Sequence, residues 1–196
     1  MIISHKHKFI FIKTRKTAGS SIEKYLYNYL GQHDICTGSI KENTPALNSE
    51  FIDGHISAST IQKQYPFEFK NYFKFAVERN PWDKVVSYYF YQQHKKEKRT
   101  KGGFDAFVEH YGKNVVDWSM YTNNDKVAVD QVIRYENLHQ TFLKIPIPYN
   151  CELLTTKVKA EFRKEKDYKK FYTNKSIEIV SNLFNKEIDM FSYQFN

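Results

Sequence analysis

The stretch Lys8 to Glu23, KFIFIKTRKTAGSSIE, decides the fold. Phe9 to Ile12 is an unbroken run of Phe and Ile, the composition of a strand buried on both faces of a parallel sheet. Lys13 to Gly19 is short, basic and small-residued. From Ser20 to Leu30 the apolar side chains Ile22, Leu26, Tyr29 and Leu30 recur with a helical period, with Ser20 or Ser21 expected as the cap and Gly31 as the stop. Strand, tight loop and helix N-terminus in that order form a device for holding phosphate. The first N–H groups of a helix lack intrahelical partners and point outward. Gly19 permits close backbone approach, and Lys16 adds positive charge. The order is not Walker A, because the lysine precedes the glycine and G-x-x-x-x-G-K-[ST] is absent.

Outward from this stretch, strands and helices alternate. Tyr72–Val77 and Gln131–Arg134 read as further strands, with a short strand in 32–58 left open. Ser59–Tyr65 is expected to be a helix ended by Pro66. Helices are also expected at Trp82–Gln93, behind Pro81, and at Phe104–Tyr111, Leu138–Leu143 and Ser176–Met190. The expected architecture is α/β, a single domain over residues 1–196 with a central parallel sheet flanked by helices. In such sheets ligands bind beyond the C-terminal strand ends. That is where the loop after Lys13, the turn at Arg79 and the Arg134–Glu136 segment fall.

The chain has 196 residues, enough for one sizeable core, with 41% hydrophobic and 27% charged residues, which excludes disorder. Thirty Lys and Arg against 22 Asp and Glu give a formal charge of +8, which suits an anionic partner or simply a soluble surface. Cys36 and Cys151 show neither disulfide-framework nor metal-ligand spacing, so a reducing compartment is expected. The N-terminus lacks the pattern of a signal peptide, and no stretch approaches the ~20 apolar residues of a membrane span. Cytoplasmic action is the expectation. His5 and His7 alternate with lysine but make no ligand cluster, and no metal is expected.

The second constellation is Arg79-Asn80-Pro81-Trp82-Asp83-Lys84-Val85-Val86-Ser87-Tyr88-Tyr89. A guanidinium at a strand end and a hydroxyl two turns into the next helix can serve one phosphate; Arg79 can equally be an ion-pair partner of Asp83. Together with Lys16-Thr17-Ala18-Gly19-Ser20-Ser21, this segment resembles the sulfotransferases that use 3′-phosphoadenosine 5′-phosphosulfate (PAPS). The likeness is greatest to the branch with heparan sulfate 2-O-sulfotransferases and related carbohydrate enzymes. Val129–Leu138 and the tail from Tyr168 to Phe191 also look familial.

The resemblance implies a P-loop-NTPase-like form of that fold, PAPS as donor, 3′-phosphoadenosine 5′-phosphate (PAP) as product, no metal, and a small-molecule or glycan hydroxyl acceptor; no nucleic-acid partner is expected. It implies that Arg15, Lys16, Thr17, Ala18, Gly19, Ser20 and Ser21 hold the 5′-phosphosulfate, with Lys16 stabilising the bridging oxygen as charge builds. It assigns Arg79 and Ser87 to the 3′-phosphate. Arg163 and Lys164 sit where the family closes a loop over the nucleotide; a solvated charge run is the other reading. His55, in Gly54-His55-Ile56, is the expected base, with Asp53 to orient it and Glu78 as a weaker candidate. Lys95, Lys96, Lys98, Arg99 and Lys101 either flank the acceptor entrance or form a plain surface loop. Two other function classes stay open at this point. One is a P-loop-like nucleotide kinase. The other is a non-catalytic basic protein binding nucleic acid or anionic glycan, for which no recognisable nucleic-acid module is present.

Overall fold

A computed structural model of the chain describes residues 1–37, 48, 53–95, 100–148, 163 and 165–196. The chain divides into two compact units, each made of two segments: Met1–Glu78 with Ser119–Val158, and Arg79–Trp118 with Lys159–Asn196.

The first unit is built on a five-stranded sheet. Its strands are β1 (Ile2–Ser4), β2 (Phe9–Ile12), β3 (Ile35–Cys36), β4 (Phe73–Glu78) and β7 (Gln131–Arg134). They lie in the order β3-β1-β2-β4-β7. β2, β4 and β7 run parallel, with Phe11 opposite Phe75 and Glu78 opposite Arg134. β1 is antiparallel to both β2 and β3, so the sheet is mixed and not wholly parallel. Chain length explains the difference. Only residues 5–8 join β1 to β2, far short of the dozen or so that a parallel crossover needs. Asp34 ties that turn down. It accepts from the Ser4 hydroxyl, from the N–H groups of His5 and Lys6, and from Gly31 N–H. Burial pushes the Asp34 carboxyl up, but these four donors outweigh it and hold the group below its ordinary value.

The core of this unit is aromatic. Phe11 stacks on Phe75 at 5.1 Å, and Ile22 and Leu26 of helix α1 (Gly19–Tyr27) join them on one side of the chain's central strands, with Ile133, Leu138 and Phe142. Cys36 is buried there, its thiol pushed up to about 11 by burial, which makes it inert. Pro66 does end helix α2 (Ala58–Gln64), but it also opens helix α3 (Pro66–Asn71) at a first-turn position where its missing N–H costs nothing. After the short helix α6 (Trp118–Tyr121), strands β5 (Thr122–Asn123) and β6 (Lys126–Val127) form a hairpin. Asn124 and Asp125 turn it, both with positive φ, as a two-residue hairpin turn demands. Helix α7 spans Leu138–Phe142.

The second unit is helical: α4 (Pro81–His94), α5 (Gly103–Tyr111), α8 (Asn174–Leu183) and α9 (Asn185–Phe191). Trp82, Val85, Tyr88, Tyr89, Phe107 and Val180 form much of its core. Ser176–Met190 is not one helix. The chain leaves helical geometry at Phe184 (φ −113°, ψ 24°), whose side chain is fully buried at the joint. Thr173 and Ser176 start α8 with a reciprocal capping box. Among the described residues no helix is long and apolar enough to cross a membrane.

Candidate functional site

The loop after β2 is held mostly by its own backbone and by buried hydroxyls. Thr14 donates its hydroxyl to the Val77 carbonyl at the end of β4. Thr17 donates to the Thr14 carbonyl at 3.2 Å, and the two hydroxyl oxygens lie 2.8 Å apart. Both threonines are buried, so the Thr17 hydroxyl is directed into the loop. Lys16 and Ala18 stand in the left-handed region, at φ 59° and 63°. For residues with a Cβ this costs on the order of 1–2 kcal/mol each, strain of the kind that collects at ligand clamps.

Ala18, not a serine, is the N-cap of α1, and no side chain caps it. Ser20 and Ser21 lie inside the first turn, because the left-handed turn at Ala18 starts the helix earlier than a serine cap would. The N–H groups of Ser21 and Ile22 bond to the Ala18 carbonyl. By helix geometry those of Gly19 and Ser20 come before the first intrahelical acceptor, at the positive end of the helix dipole.

Gly19 has a reason the sequence did not disclose. A Cβ there would meet Lys13 Cγ at 2.7 Å. Lys13 runs past the glycine to Glu23, with Nζ 2.5 Å from Oε2. Glu23 is buried, and its other oxygen accepts from the Met1 amino group at 2.8 Å. The four-residue spacing from Gly19 to Glu23 was the available signal, since it puts both on one helix face.

His55 comes to the same loop. Its Nδ1 is 2.9 Å from the Lys13 carbonyl oxygen, which can only accept, so Nδ1 carries the proton. In the neutral ring Nε2 is then the basic nitrogen. Asp53 accepts from the His55 backbone N–H at 3.0 Å and so holds the main chain of that segment. Glu78 is fully buried and accepts from the Tyr121 hydroxyl at 3.3 Å. Arg15 is half-buried in the loop.

In the second unit, Asn80 caps α4 by accepting from the N–H groups of Trp82 and Asp83. Arg79 donates through Nε and Nη2 to Asp83 Oδ2, at 2.9 and 2.7 Å. Arg163 donates through Nη1 to the other oxygen, Oδ1, at 2.5 Å. It also donates through Nε to the Glu165 carbonyl and through Nη2 to the Lys166 carbonyl. Ser87 lies one turn beyond Asp83 on the same half-buried face of α4. Lys84 turns the opposite way and pairs with Asp117 at 2.9 Å, both fully buried. Tyr172 donates its hydroxyl to the Trp82 carbonyl at 2.9 Å, and burial, then the Asp83 charge, pushes its phenol well above the ordinary value. Lys164 lies outside the described residues, as do Lys96, Lys98, Arg99 and Cys151. Among the described residues no group of three or more His, Cys, Asp or Glu could hold a metal ion.

Residues 1–146 match the family model described as "Sulfotransferase family". The chain belongs to the sulfotransferase family. The matched region includes the Lys16 loop, His55 and Arg79 to Ser87; Arg163 lies beyond it. This sulfotransferase is 37% identical over 81 residues to an uncharacterized protein of Archaeoglobus fulgidus, covering 39% of this chain and 67% of that one. Its fold is similar to the crystal structure of mouse sulfotransferase SULT7A1 complexed with PAP. The TM-score is 0.55 at 16% identity, over 95% of this chain and 86% of that one.

Proposed function

We propose that this sulfotransferase moves the sulfuryl group of PAPS onto a hydroxyl of a carbohydrate-like acceptor in the cytoplasm. One observation carries the reading: two left-handed residues bracket Thr17 and deliver Lys16 to the N-terminus of α1. The PAP held by mouse SULT7A1 supports the choice of donor.

PAPS supplies the sulfuryl group and a 5′-phosphate leaving group. Lys16 neutralises charge on the oxygen of the bond that breaks, where a positive group contributes most in the transition state. Residues 17–20 offer backbone N–H groups to the 5′-phosphate, those of Gly19 and Ser20 at the helix start foremost, with the Ser20 and Ser21 hydroxyls beside them. Arg79, Ser87 and Arg163 hold the 3′-phosphate. His55 Nε2 takes the proton from the acceptor hydroxyl, while Nδ1–H remains on the Lys13 carbonyl and keeps the ring in register.

Calorimetry with PAP tests the donor, and protein that binds no PAP would end the proposal. For the base, His55→Gln is expected to lower turnover on the order of 10²- to 10⁴-fold while PAP affinity stays unchanged. A variant that turns over normally removes His55 from the mechanism.

A further inference from the structure

We infer that Asp83 is a positioning residue, a two-pronged carboxylate that sets Arg79 and Arg163 for the 3′-phosphate. This rests on the PAPS reading above. Each Asp83 oxygen serves a different guanidinium, Oδ2 for Arg79 and Oδ1 for Arg163. All three side chains are largely buried: the two arginines are 14% and 12% exposed and Asp83 is 20% exposed.

Two guanidiniums this close to one group would repel each other. The carboxylate offsets that, and because it carries one charge against two, the trio keeps a net positive charge at the N-terminal end of α4. A carboxylate with only one arginine would leave none. The surplus is what an anion can neutralise, and it is added to the positive end of the helix dipole.

The arrangement is braced. Asn80 accepts from Asp83 N–H and so fixes the residue that carries the carboxylate. Ser87 lies one turn after Asp83 on the same half-buried face of α4, and Arg79 lies just outside the helix, in the chain that leads into its Asn80 cap. Arg163 is separated from Asp83 by 80 positions. Its Nε and Nη2 are engaged by the carbonyls of Glu165 and Lys166, so the plane of the guanidinium is defined from both sides. Tyr168 and Tyr172 stand close enough to feel the Asp83 charge, and with burial it keeps both phenols neutral. Asp83 thus bridges the two arginines through its two oxygens.

The test compares two ligands that differ only in the 3′-phosphate, PAP and AMP, by calorimetry on wild type and Asp83→Asn. The amide keeps the size and removes the charge. PAP is expected to weaken roughly tenfold or more, as for the loss of charge-assisted hydrogen bonds, while AMP affinity is unchanged. Unchanged or tighter PAP binding overturns the inference, since Asp83 would then be idle or a competitor of the phosphate. A parallel loss of AMP overturns it as well, because that reports general damage to the unit. If D83N does not fold, Asp83→Glu carries the same test. Its added methylene displaces both guanidiniums, and the loss should again be confined to PAP. Wild-type protein that binds AMP and PAP equally also overturns the inference. Wild-type protein that binds neither ends the donor reading along with it, which separates the two failures.

Discussion

The Lys16 loop and the Arg79–Asp83 turn are both suited to anions, but they are built from different material. The loop is a backbone construction. Its shape comes from left-handed residues at Lys16 and Ala18, from threonine hydroxyls bonded to main-chain carbonyls, and from a helix start with no side-chain cap. The turn is a side-chain construction, with two arginines fastened to one carboxylate above an asparagine cap. A backbone site depends on few side chains and tolerates salt. A side-chain site depends on charge and on the rotamers of long residues, so it is easier to retune and easier to break.

Substitutions can break or sharpen this contrast. The largest effect is expected for Lys16→Met, which removes the charge proposed to act on the bond that breaks. Turnover should fall on the order of 10²- to 10³-fold, with PAP affinity changing far less, as read by steady-state kinetics beside calorimetry. Thr14→Val comes next. It keeps the shape but removes the donor to the Val77 carbonyl, and should cost about 1–3 kcal/mol of stability in denaturant titration. A T14V protein of wild-type stability would mean that the loop is not held from its backbone. Arg79→Lys is expected to be milder, weakening PAP about tenfold as the planar fork is lost, with a steeper salt dependence than any loop variant.

The smallest effects are on stability against pH, and the two units should differ in sign. Asp34, in the first unit, is held below its ordinary value in the folded chain. Its contribution is therefore present above the unfolded value of about 3.9 and is lost as pH falls through the lowered folded value. Asp34→Asn should lower Tm at neutral pH, with the gap closing in acid. Glu187, in the second unit, is buried with Oε1 lacking a partner, and burial raises its carboxyl despite Lys84 nearby. Its ionisation costs stability as pH rises past the unfolded value of about 4.3. Glu187→Gln should raise Tm at neutral pH and converge with wild type below about pH 4. A D34N protein more stable than wild type, or an E187Q protein less stable, would reverse the assignment.

Much of the fold was legible because it depends on local pattern. Phe9–Ile12 and Gln131–Arg134 are strands with the expected bounds, since short apolar runs between turn signals have few other uses. β1 was not legible, because three residues carry no period and the direction of the strand depends on the length of the following turn. Helix α3 was hidden by reading Pro66 only as a stop. The positions of the phosphate-suited segments could be read from their order along the chain. What braces them could not. Lys13 and Glu23 meet because Gly19 makes room, and Arg163 reaches Asp83 across 80 positions. No local spacing encodes a contact of that range.

Ala18 has a further consequence. Glycine at this position would remove the steric cost of the left-handed conformation, at the expense of a more mobile loop. Alanine accepts strain in return for a loop that is already shaped when ligand arrives, so Ala18→Gly trades catalytic readiness against ease of folding. A search for more stable versions of this chain that scores melting temperature alone would drift toward that glycine. It would discard, without any visible loss of structure, the preparation on which Lys16 depends.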